Sequence, residues 1–214
     1  MSALGIYIGL LLRLCAGVPV EASMLRIEAH LSGDRLAMGS ASWTDRGVLT
    51  AWHVVDGAEA VWIIEPSGRR HAAWCWWRHG EQDAATVRLD APLRLPMLRV
   101  AGGLAGPCRA QCIAYWGASR VLARPIIVYG DLRGPEGAVA GQGEIGAEFY
   151  AYTAPLIAGM SGGPLLVGRV VYGVASHIDG GRLSYIGRAD LASRPAPSAI
   201  LRPAARSAPH KADP

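Results

Sequence analysis

Leu156-Ile157-Ala158-Gly159-Met160-Ser161-Gly162-Gly163-Pro164-Leu165-Leu166-Val167 sets one serine among three glycines, between an apolar pair and a run that reads as a β-strand. A serine hydroxyl is a poor nucleophile unless a base takes its proton and donors await the oxyanion. Glycine answers the second need. Without a Cβ the backbone can turn sharply, so the amides of Gly159 and Ser161 can face one developing negative charge. Standing alone, the segment also admits a second, less favoured reading as a glycine-rich hairpin turn, so its partners decide.

The candidate base is His53, which ends the β-rich run Val48-Leu49-Thr50-Ala51-Trp52-His53 and is followed shortly by Asp56-Gly57. His30, His71 and His79 fall in polar or mixed stretches, and His210 lies in the tail. The candidate orienting acid is Asp83, which heads Ala84-Ala85-Thr86-Val87-Arg88-Leu89 directly from a turn. Asp90 closes the same run and competes with it. A carboxylate at the head of the strand can turn into a groove, whereas one at its end caps the exit loop.

Around these residues the chain reads as short apolar or alternating runs separated by turn signals, with no long helical periodicity. Strands are expected over 25–31, 41–44, 47–50, 60–65, 71–77, 84–89, 111–115, 126–129, 148–153, 164–167, 170–176 and 183–186. The 27 Gly and 14 Pro among 214 residues suit such an all-β protein. Pro92, Pro96, Gly102, Gly103, Gly106 and Pro107 mark a linker between two halves, 24–100 and 101–191. Residues 192–214, rich in Pro, Ala and Arg, read as a disordered tail.

Residues 1–23 carry an apolar run from Leu4 to Leu12 and then Val20-Glu21-Ala22, which resembles a signal-peptidase site and implies a secreted or periplasmic protein. The run is too short for a bilayer core of about 30 Å. The alternative is an N-terminal element packed on a cytoplasmic domain. Any membrane association would run through this segment. A formal net charge of +4, scattered and almost wholly from Arg, argues against a nucleic-acid partner. Cys75, Cys108 and Cys112 read as free thiols; with His71 they have the ligand types for zinc but no trusted spacing, so no metal is expected.

The order His53, Asp83, Ser161 with these flanks resembles the chymotrypsin-like (trypsin-like) serine peptidases. Leu49 to His53 is similar to that family's histidine motif, with Trp52 for the usual alanine. Asp83 to Leu89 is similar to its aspartate strand, and Gly159 to Pro164 to its nucleophile loop. Tyr172-Gly173-Val174-Ala175-Ser176 resembles the strand lining its specificity pocket. The resemblance implies two six-stranded antiparallel β-barrels with the site in the cleft between them. It also implies a Ser161–His53–Asp83 triad, an oxyanion hole made by the amides of Gly159 and Ser161, and no cofactor. Ser176 falls where the family's serine bonds the catalytic aspartate.

Met160 stands where zymogen-activated members keep an aspartate, which points to the non-zymogen branch resembling bacterial HtrA-like or viral members. Pro155 occupies the position that holds an aspartate in enzymes cutting after Lys or Arg, and His177 and Ile178 replace an aromatic residue and a glycine after Ser176. These four residues, Pro155, Ser176, His177 and Ile178, are the expected substrate-binding positions. The expected activity is that of a serine endopeptidase acting on proteins or peptides. Its rivals are a viral or phage polyprotein-processing protease of the same fold and a non-catalytic scaffold; neither oligomeric state nor natural substrate is legible.

Overall fold

The computed structural model describes residues 18–79, 82–115, 124–135, 149–179 and 183–188. The apolar N-terminal run and the C-terminal tail lie outside the described residues. The first described segment forms a single 3-10 turn, Val20–Ser23, and Arg169 donates to the Val18 carbonyl.

Six strands and one helical turn follow: β1 (Met24–Leu31), β2 (Arg35–Thr44), β3 (Gly47–Ala51), α1 (Trp52–Val55), β4 (Ala58–Ile64), β5 (Arg70–His79) and β6 (Ala84–Leu89). They close into a barrel in the order β1-β2-β3-β6-β5-β4, every pair antiparallel. The second unit holds β7 (Arg99–Val100), β8 (Cys108–Ala114), β9 (Ile126–Pro135), β10 (Phe149–Tyr152), β11 (Pro164–Val167), β12 (Val170–Asp179) and β13 (Leu183–Arg188). Its sheet runs β11-β8-β9-β10-β13-β12 and curls until β11 pairs with β12. This is the chymotrypsin-like two-barrel architecture expected from the sequence. No helix among the described residues is long and apolar enough to cross a membrane.

One departure concerns the stretch read as a linker. Its prolines and glycines alternate with apolar residues, and Leu93, Leu98, Val100 and Ala101 are buried. Leu98 exchanges backbone hydrogen bonds with Trp43 and Asp45, while the Ala101 N–H donates to Val171. The Asp45 carboxylate accepts the Val100 N–H at 3.0 Å. Between these anchors β7 adds a seventh, parallel strand beside β12. The connection is thus stitched to both barrels.

The larger apolar cluster continues that junction. It joins Ile27, Leu49 and Val87 of the first barrel to Ile113, Tyr115, Leu166, Val171 and Val174 of the second. Each fully buried Leu, Ile or Val contributes about 1.5–3 kcal/mol, so the cleft walls cannot separate without exposing a shared core. A second cluster around Leu132, Tyr150, Tyr152 and Met160 fills the C-terminal unit.

The thiols of Cys75, Cys108 and Cys112 are free. Cys108 and Cys112 lie on one extended strand, where four residues span about 13 Å, beyond disulfide reach. Burial pushes the Cys112 thiol up to about 12. His71 is engaged by Glu65 at 2.6 Å, and no cluster of potential metal ligands occurs among the described residues.

Candidate active site

Asp83 is the last residue of the short connection from β5 to β6, and its φ of 50° lies in the left-handed region. Non-glycine residues are uncommon there, Asp and Asn being among the better tolerated. Four donors converge on it. Its carbonyl accepts the Trp52 N–H at 2.9 Å. Oδ1 accepts the His53 N–H at 2.8 Å, and Oδ2 faces His53 Nδ1 at 2.7 Å. The Ser176 hydroxyl donates to the same Oδ2. Burial pushes the Asp83 carboxyl up, but the His53 ring, the Ser176 hydroxyl and the His53 amide together hold it below its ordinary value. An ionised carboxylate only accepts hydrogen bonds, so Nδ1 is the donor in this pair and Nε2 is the ring nitrogen left facing away from Asp83.

The sequence places His53 through a single turn of helix. Ala51 is still extended, α1 then turns, and the Asp56 N–H returns to the Trp52 carbonyl at 2.9 Å. Buried Val54 and Val55 anchor that turn on the barrel. The His53 side chain is left 46% exposed, against 17% for Asp83. A base that must meet a substrate needs such access.

The glycine loop is fixed from several sides. The amides of Met160, Gly162 and Gly163 donate to the carbonyls of Ile157, Ala175 and Met160. Among the described residues, no acceptor takes the N–H of Gly159 or Ser161. Gly159 and Gly162 have φ of 92° and 81°. At Gly162 a Cβ would stand 2.2 Å from the Ser40 carbonyl oxygen and 2.3 Å from Thr50 Oγ1, so only glycine fits. Met160 is buried in the second core and anchors the loop from below.

Gly162 also relates the loop to the Asp83 cluster. Its N–H donates at 2.8 Å to the Ala175 carbonyl, next to Ser176, and a Cβ added to it would stand 3.0 Å from the nitrogen of Ala51, two residues before His53. Ser161 precedes Gly162, and its carbonyl accepts the Ser40 N–H at 2.8 Å. Sequence reasoning missed Ser40. Its Oγ accepts the Tyr115 N–H and reaches the Gly159 carbonyl at 3.5 Å, while its own carbonyl accepts from Thr50 Oγ1. The run of small residues Gly39-Ser40-Ala41-Ser42 was the available signal: a Cβ at Gly39 would lie 2.8 Å from the Ser161 carbonyl oxygen.

The remaining positions lie as follows. Asp90 is exposed past the far end of β6. Pro155 is exposed between buried Ala154 and Leu156. Ser176 is half-buried in β12, where a bulge precedes His177. The backbones of His177 and Ile178 pair with Tyr185 and Ser184; their side chains lie outside the described residues.

A family model, the trypsin-like peptidase domain, matches residues 38–171. Among curated proteins, none matches the chain. Solved structures resemble it in fold. The active form of the Rv3671c protease from M. tuberculosis is 19% identical with a TM-score of 0.60, covering 79% of this chain and 77% of that one. The serine endoprotease from Yersinia pestis is 20% identical with a TM-score of 0.60, covering 80% of this chain and 60% of its own. The HtrA-type protease AlgW, solved with a tripeptide, is 19% identical with a TM-score of 0.64 and covers 80% and 58% respectively.

Proposed function

We propose, because this chain belongs to the trypsin-like peptidase family, that Ser161 is its nucleophile, His53 its general base and Asp83 the carboxylate that orients the base. Family membership makes the chain a serine endopeptidase. The observation that carries the assignment is the grip of Asp83 on both the amide and the ring of His53, at 2.8 and 2.7 Å.

In this reading the Ser161 hydroxyl gives its proton to His53 Nε2 as Oγ bonds to the scissile carbonyl carbon. The carbonyl π pair moves onto oxygen, which takes hydrogen bonds from the free amides of Gly159 and Ser161. Collapse restores the C=O and breaks the C–N bond. The leaving nitrogen takes the proton from His53, and the acyl group stays on Ser161 as an ester. Water then attacks the ester, losing its proton to His53, and the returning proton restores the Ser161 hydroxyl. Asp83 holds the productive tautomer and offsets the transient imidazolium charge, as its lowered pKa allows.

For specificity, small or medium uncharged side chains fit best before the cut. Pro155 supplies no carboxylate, and Ile178 aligns with the family's pocket entrance. Burying a lysine or arginine there without a counter-charge would cost several kcal/mol.

Hydrolysis of casein by the wild type and by Ser161→Ala tests the assignment. The variant should fold and show no turnover. Residual activity within about tenfold of wild type, about 1.4 kcal/mol in the barrier, is too small a loss for a missing nucleophile and overturns it.

A further inference from the structure

Among the buried titratable side chains that the chemistry above leaves unused is a histidine beside the catalytic turn. His79 closes β5 at 1% exposure. Its pairing with Ala84 is the last rung before the connection that ends in Asp83. Its Nε2 lies 2.7 Å from Thr86 Oγ1, on a residue only 2% exposed. Trp77 pairs with Thr86 and His79 with Ala84, so this bond runs diagonally and braces the mouth of the β5–β6 hairpin. The Trp77 ring meets the imidazole edge-on, with centroids 6.1 Å apart.

The surroundings admit only a neutral ring. An imidazolium carries two N–H donors, and among the described residues Nδ1 of His79 has no partner. Burial, then the like charge of Arg46 in the β2–β3 turn, pushes His79 down to about 4. The buried Nε2 of the neighbouring Gln82 is likewise without a partner among the described residues. Asp83 itself holds a left-handed φ that the chain would leave if its flanks loosened.

We propose that His79 is a positioning residue: through Thr86 it locks the ends of β5 and β6 on which Asp83 is mounted, keeping the carboxylate where His53 can use it. This rests on the reading of Asp83 as the orienting acid. His79 touches neither substrate nor His53, and acts only through the turn.

The test is the second-order rate at which a fluorophosphonate phosphonylates the full chain, a step that forms the Ser161 Oγ–P bond, expels fluoride and needs His53 to take the serine proton. His79→Leu, His79→Gln and Thr86→Val are compared alone and on an Asp83→Asn background. His79→Leu and Thr86→Val should each slow the reaction about tenfold or more. His79→Gln, whose amide reaches the Nε2 position, should stay within about threefold of wild type. None should slow the Asp83→Asn chain further, because residues acting as one unit are not additive. Thr86→Val, which keeps the shape, carries the test alone should His79→Leu not fold. Wild-type rates in Thr86→Val, or a slowing that persists on Asp83→Asn, overturn the proposal. A rate indifferent to Asp83→Asn alone overturns the assignment of Asp83 instead, and the single variant tells the two failures apart.

Discussion

The carboxylate of Asp83 takes the ring Nδ1 of His53 on one oxygen and the backbone N–H of the same residue on the other, at 2.7 and 2.8 Å. One side chain thereby fixes both the position and the tautomer of the candidate base. With the Ser176 hydroxyl on Oδ2 and the Trp52 amide on the carbonyl, Asp83 has little freedom to turn away.

Asp83→Asn should therefore lower kcat by several orders of magnitude, about 10⁴ where such a triad has been dissected. An amide can donate to Nδ1 and stabilise the wrong tautomer. Asp90→Asn, at an exposed position beyond β6, should change kcat less than about threefold. Steady-state kinetics on both variants decide between the two acids; reversed effects would show the wrong one was chosen.

Gly162→Ala should be severely destabilising. The new methyl would sit 2.2 Å from the Ser40 carbonyl oxygen, at a φ of 81°. Overpacking and strain together should cost roughly 3 kcal/mol or more in urea unfolding. A loss below about 1 kcal/mol would mean that the loop can shift away from Ser40.

Stability should fall as the solution is acidified, in a window that His79 sets. Its folded pKa of about 4 lies below the ordinary 6.5, so the unfolded chain binds the proton first. The stability is present above about 6.5, declines as pH drops, and is lost once pH passes through 4; this group contributes on the order of 3 kcal/mol. Asp83, also depressed, matters only at still lower pH. Across that window the melting temperature of the wild type should fall more steeply than that of His79→Gln, which has no group to titrate there, and parallel curves would contradict the account.

Much of this was legible in the chain, and the remainder failed for physical reasons. The strand Ala84–Leu89 and its leading aspartate could be read because apolar residues follow a turn directly. The start of β2 at Arg35 could not, because Gly39 and Ser40 look like loop residues; they are small to let Ser161 approach. β7 escaped because two residues between prolines and glycines carry no periodicity, and its parallel partner in β12 is remote in sequence. His53 reads as the end of a strand but sits in one turn of helix, a distinction that four residues cannot signal. Ser176 was legible only by resemblance.

Cleavage of a peptide library should occur after small or medium uncharged residues. Dominant cutting after Arg or Lys would reverse this and point to Asp179, close enough in sequence to Ser176 to supply the missing charge.

The most direct measurement is fluorophosphonate labelling followed by peptide mapping. The label should appear on Ser161, and Ser161→Ala should take up none. Modification of another residue, or undiminished labelling of that variant, would contradict the central claim that Ser161 is the nucleophile.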